Sequence, residues 1–149
     1  MNRGRQEAGE LGAKSAGYSG KPLAQKLGIK RGQLLTFLNA PHGYHVLLGE
    51  LPDGVIVTRQ LRKESDLIQF FARDTMSLKR DFPRLKSNLK RDGMIWISWP
   101  KGSSQLQSDL SENVVRKIGL RNGLVDVKIC AVDQTWSALK FVIPLKDRP

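Results

Sequence analysis

The sequence predicts a three-layer α/β fold: a mostly parallel sheet between helices, with an antiparallel hairpin at the C-terminal end. Three observations carry this prediction. From residue 22 to about 124, short apolar or β-branched runs alternate with segments of helical period, the rhythm of parallel strands joined by crossovers. Several of these runs are continuously apolar, as strands covered on both faces require. The last two, 125–132 and 138–145, are separated by a short turn, which is hairpin spacing.

The elements follow in order. Residues 1–20 hold Gly4, Gly9, Gly12, Gly17 and Gly20 among scattered charges, with almost no apolar content. They are expected to be a disordered basic segment, leaving 21–149 as one α/β domain. Pro22 opens a short helix through Leu27, because a first helical turn does not need the N–H that proline lacks, and Gly28 ends it. Residues 33–38 form the first strand, closed by the breakers Asn39-Ala40-Pro41-His42-Gly43. A short helix over 44–51, a strand over 55–58 and an apolar run over 67–71 come next. Leu78, Phe82, Leu85 and Leu89 then recur at helical spacing; Pro83 should kink this helix and Asp92-Gly93 should stop it. Residues 94–99 form a short buried strand and 100–108 a polar loop. Asp109, with Glu112 three residues on, has the pattern of a capping box for a helix carrying Leu110, Val114 and Ile118, with Gly123 as its stop.

Composition narrows the function classes. The 149 residues are 40% apolar, enough for one core, but no run approaches the roughly 20 apolar residues of a membrane span. The first 20 residues lack the apolar stretch of a secretory leader. Cys130 is the single cysteine, so no intrachain disulfide forms, and a cytoplasmic setting is expected. The net charge of +11 favours anionic partners.

Several segments together resemble a known group: Gly17-Tyr18-Ser19-Gly20-Lys21-Pro22-Leu23, Lys26-Leu27-Gly28-Ile29, Asn39-Ala40-Pro41 and Ser98-Trp99-Pro100-Lys101. Gly123-Leu124-Val125-Asp126-Val127-Lys128 and Ala131-Val132-Asp133, followed by Trp136-Ser137 and Leu139-Lys140, extend the match from about residue 17 to 145. Their order and spacing resemble an uncharacterised bacterial family of small class I methyltransferase-like proteins. The resemblance implies a cytosolic bacterial protein with a Rossmann-like fold of reduced methyltransferase topology, and it supplies no activity.

A methyl-donor or dinucleotide site in such a fold needs a glycine-rich turn after the first strand and an acid at the end of the second, for the ribose hydroxyls. Here the turn holds one glycine and an obstructing Pro41, and Arg59-Gln60 stand where the acid is expected. No S-adenosylmethionine or NAD cofactor is therefore expected, and no catalytic set assembles from the sequence. The reading is a binding module more than an enzyme, taking an anionic small molecule or an acidic partner at the carboxyl edge of the sheet. Three loop tips converge there in this topology: 39–44, 72–75 and 99–104. The candidate ligand-binding residues are Asn39, His42, Tyr44, Lys101, Ser103 and Ser104; the last three offer a cation and hydroxyls for a phosphate or carboxylate.

Weaker patterns carry less. His42 and His45 lack a third metal ligand, so no metal is expected. Ser98-x-x-Lys101 straddles a strand end and a proline instead of sharing one helical turn, as serine acylases of that pattern require. Trp96 and Trp99 alternate to opposite sheet faces as core residues. Two alternatives stand beside the main reading. One is a divergent methyltransferase. The other is DNA binding by a helix-turn-helix over 23–38, with Ala24 between helices and Gly28 in the turn. The run Leu34-Leu35-Thr36-Phe37-Leu38 leaves that second helix no polar face, so any nucleic-acid binding is expected to be weak and non-specific.

Overall fold

The computed structural model describes residues 21–148, and the proposed disordered segment 1–20 lies outside them. Six strands form one sheet in the order β2-β1-β3-β4-β6-β5. β1 (Leu34–Leu38), β2 (Ile56–Thr58), β3 (Ser65–Phe71) and β4 (Leu89–Pro100) are parallel. β5 (Val125–Ala131) and β6 (Trp136–Val142) form the predicted hairpin, β6 beginning two residues before and ending three residues before the expected 138–145, and β6 is antiparallel to β4. This is a Rossmann-like α/β fold.

Two short helices cover one sheet face, α1 (Leu23–Leu27) and α2 (Tyr44–Leu48). Leu27, Leu35, Leu67 and Trp96 are buried beneath them, and the Trp96 indole N–H donates to the Leu27 carbonyl at 2.9 Å. The other face is covered by α3 (Thr75–Ser87) and α4 (Glu112–Arg121). Phe82 of α3 meets Phe141 of β6 edge to face, ring centroids 5.8 Å apart. Trp96 and Trp99 belong to opposite cores, as strand alternation requires.

Tertiary packing changes several expected boundaries. Pro83 lies inside a continuous α3, on its exposed side, while Leu78, Phe82 and Leu85 bury the opposite stripe. A solvent-facing proline lets water satisfy the carbonyl it cannot bond, so packing holds the helix together. Leu89 does not continue that stripe: Asn88 caps α3, and Leu89 opens β4. Asp92-Gly93 is then no helix stop but an irregularity within β4, which advances from Leu89 to Met94 while β3 advances from Ser65 to Leu67. A side chain at Gly93 would press on the Asp66 carbonyl at 2.8 Å, hence glycine. The helix over 44–51 ends early, at Gly49. The supposed recognition helix of a helix-turn-helix is β1, hydrogen-bonded on both sides in parallel ladders.

The cap of α4 is also displaced. Ser111, not Asp109, accepts from the Val114 N–H. Asp109 instead accepts from the Thr75 N–H at 2.8 Å, and Asp74 accepts from Ser77, so two carboxylates share the start of α3.

Arg116 of α4 joins Asp126 of β5 at 2.9 Å and holds its carboxyl below the ordinary value of 3.8. A carboxylate with a lowered pKa stabilises the fold above its ordinary titration range and loses that contribution as pH falls through the lowered value. Asp126→Asn is therefore expected to melt below the wild type at neutral pH. The two melting curves should converge as pH falls below 3.8; a constant gap across an acid titration would refute the pairing.

Candidate functional site

A cleft of about 690 Å³ opens at the carboxyl ends of β1 and β2. Its floor is apolar: Phe37 from β1, Leu48 from α2 and Val57 from β2. Its rim is polar, with Asn39 and His42 in the loop after β1, His45 on α2 and Arg59 one residue past β2. The loop leaves β1 abruptly because Asn39 adopts a left-handed conformation, φ 60°, which asparagine tolerates better than most residues. Gly43, φ 79°, then turns the chain into α2.

Of the six candidate residues, the structure brings Asn39, His42 and Tyr44 to this cleft. Asn39 and His42 are exposed at the rim. Tyr44 faces it only with its ring: the residue is 4% exposed, packed edge to face between Phe37 and Phe71, and its hydroxyl donates to Gln69 Oε1. Burial pushes that phenol well above its ordinary range. Tyr44 is thus part of the wall and offers the ligand no free hydroxyl.

Lys101, Ser103 and Ser104 do not line the cleft. Their loop turns on itself, with the Ser104 hydroxyl donating to the Lys101 carbonyl at 2.8 Å, and it is anchored where the Lys101 N–H meets the Thr135 carbonyl at 2.8 Å. The tip after β3 is engaged by the same connection, since the Ser108 hydroxyl donates to the Arg73 carbonyl. Arg73 itself lies over the Trp136 ring, 5.8 Å from its centroid. Ser98 is fully buried and accepts from Gln69 Nε2 at 2.9 Å, which removes it as a nucleophile. Among the described residues, no group of three or more His, Cys, Asp or Glu side chains is placed to hold a metal.

In the sequence Arg59 is legible only as a missing acid; the structure places it on the cleft lining. The buried chain Tyr44–Gln69–Ser98 is not legible in the sequence because its members lie 25 and 29 residues apart. A glutamine inside the otherwise apolar run 67–71 was the one visible signal.

A parallel sheet whose last strand inserts antiparallel beside its neighbour defines the methyltransferase-like Rossmann class. Solved structures share it. A SAM-dependent methyltransferase from Aquifex aeolicus is similar at 13% identity, with a TM-score of 0.55 over 82% of this chain and 88% of that one. Magnesium protoporphyrin IX methyltransferase from Synechocystis with bound SAH is similar at 13% identity, TM-score 0.53, over 76% and 75%. The fibrillarin pre-rRNA processing protein of Methanococcus jannaschii is similar at 12% identity, TM-score 0.56, over 83% and 69%. No family model matches the chain. No curated protein matches it either.

Two features that commonly hold the methyl donor in this class, a glycine-rich turn and a ribose-binding acid, are missing from this cleft. The turn after β1 brings Pro41 and a single glycine where backbone must approach the ligand, and Arg59 replaces the ribose-binding acid.

Proposed function

We propose that this chain binds an anionic, phosphate-bearing small molecule in the cleft at the carboxyl ends of β1 and β2, and acts as a binding module more than an enzyme. The observation that carries the reading is Arg59. It stands at the cleft rim where the fold would place a ribose-binding acid, and it has no ion-pair partner among the described residues. In dinucleotide folds an acid there takes ribose hydroxyls, while an arginine there accommodates a phosphate. A guanidinium binds phosphate or carboxylate oxygens in a planar fork. Asn39 and His42 supply further hydrogen bonds, and Phe37, Leu48 and Val57 offer an apolar bed for a sugar or ring. The single cysteine and the resemblance to an uncharacterised bacterial family support a cytoplasmic bacterial setting.

Calorimetric titration tests this with adenosine 2′-phosphate, adenosine, S-adenosylmethionine and NAD. The phosphorylated nucleoside is expected to bind and adenosine is not. Arg59→Gln should weaken binding by about 10- to 100-fold, because a charge-assisted hydrogen bond is worth about 1.5–3 kcal/mol.

The second reading, a divergent methyltransferase, is favoured by the fold shared with enzymes solved with SAM or SAH bound. Micromolar binding of S-adenosylmethionine, indifferent to Arg59→Gln, would establish it over the first.

A further inference from the structure

The antiparallel end of the sheet concentrates positive charge on the face that α1 covers. Lys128 and Lys140 are direct cross-strand partners in the β5–β6 register. Their side chains leave the same face, with Cβ atoms about 4.5–5.5 Å apart. That face is identified by Cys130 and Ala138, two residues along each strand, which pack in one cluster with Leu23 and Leu27 of α1. From α1, the Lys26 ammonium donates to the Ala131 carbonyl at 3.1 Å, and Lys30 follows just beyond the helix. Lys101 joins at the other end, where its backbone N–H bonds the Thr135 carbonyl and its charge, with those of Lys26 and Lys128, acts on Cys130 of this same face.

None of these five lysines forms an ion pair among the described residues; the pairs present engage Arg80, Arg84, Lys90 and Arg116. Like charges directly opposite across a sheet are destabilising, so the fold carries a cost here that an external anion would relieve. The crowding is felt locally. Burial, then Lys128 and Lys30, hold the Lys140 ammonium below its ordinary pKa.

The cluster is a stripe and not a point. Along β6, Lys140 and Trp136 are four residues apart, about 13 Å. Lys101 lies at the Trp136 end, since Pro100 pairs with Trp136. A stripe of that length is long enough to meet more than one phosphate of a nucleic-acid backbone. The aromatic residues of this face, Trp96 and Trp136, are buried, so no ring is free to stack on a base. The apolar residues beneath the lysines, Cys130 and Ala138, are buried too, which denies an acidic protein the apolar anchor that protein interfaces centre on.

We propose that Lys26, Lys30, Lys101, Lys128 and Lys140 form a binding surface for the phosphodiester backbone of nucleic acid, read without regard to sequence. It lies at the opposite end of the strand order from the β1–β2 cleft and stands independently of the function proposed for that cleft.

Fluorescence anisotropy of a labelled oligothymidylate, titrated with the full chain at several salt concentrations, tests the surface. Binding is expected at low salt and should fall as salt rises. Lys128→Gln/Lys140→Gln should weaken it and flatten the slope of log K against log salt by about 1.4, two phosphates at about 0.7 each for a single strand. Lys79→Gln/Lys117→Gln, on exposed positions of the helices covering the opposite face, should leave slope and affinity unchanged. Circular dichroism confirms that each variant is folded. Three results would overturn the proposal: equal losses in both double variants, polyglutamate competing as well as unlabelled oligonucleotide, or one motif enriched from a random pool at physiological salt. Absence of binding at low salt would do the same.

Discussion

Replacing Gly119 by alanine is expected to destabilise the protein by about 2–3 kcal/mol, although the same change in an exposed helix gains about 1 kcal/mol. Gly119 is buried in α4, and a Cβ there would fall inside the van der Waals envelope of the Phe141 ring. Phe141 cannot retreat freely, since it also meets Phe82 edge to face and is fully buried. The added methyl must lift α4 from the sheet or drive the ring off its rotamer. A fall in melting temperature of about 6–10 °C follows for a domain of this size. Gly119→Ala/Phe141→Leu should recover part of the loss, because the two positions share one space and cannot act additively. A Gly119→Ala variant as stable as the wild type would mean that α4 is not seated on Phe141.

The second large effect is expected at Gln69. This fully buried side chain accepts from the Tyr44 hydroxyl and donates to Ser98 Oγ, which ties α2 to β3 and β4 beneath the cleft. Gln69→Leu nearly keeps the volume but leaves two buried polar groups without partners. Each costs about 1–3 kcal/mol, so a loss of about 3–4 kcal/mol is expected in urea denaturation. Removing the whole chain, Tyr44→Phe/Gln69→Leu/Ser98→Ala, should recover much of that loss, since replacing all partners by apolar groups removes the unpaired atoms. If the triple variant is as damaged as Gln69→Leu, volume and not hydrogen bonding governs the site. Tyr44 also walls the cleft, so Gln69→Leu should also weaken the nucleotide binding proposed for it.

Both effects arise from contacts between segments far apart in the chain, and this divides what was legible from what was not. β1, β5 and β6 could be read from the sequence because buried strands need continuous apolar runs and a hairpin needs a short turn. Gly28 and Gly123 could be read as stops because a helix end often requires the left-handed conformation they adopt, φ 83° and 85°. The extra length of β4 could not. Leu89 continues the helical spacing of α3, and only pairing with Ser65 claims it for the sheet. The role of Asp109 could not be read either, because a local capping pattern cannot reveal a carboxylate recruited by a different helix, 34 residues away.

The candidate site divides in the same way. The apolar strand before Asn39 and the breakers after it determined, from sequence alone, that a loop would stand at the carboxyl edge of the sheet. The replacement of the expected acid by Arg59 was visible there too. Only the tertiary structure decided which loops meet. It brought Arg59 to the same cleft as Asn39 and His42, turned the Tyr44 hydroxyl inward to Gln69, and carried Lys101 to the hairpin end beside Thr135. The physical reason is range. Backbone propensity and hydrophobic period act within a few residues and are written along the chain, whereas the neighbours of a rim arginine, a buried glutamine or a stripe of lysines are chosen by strand order, which no local pattern contains.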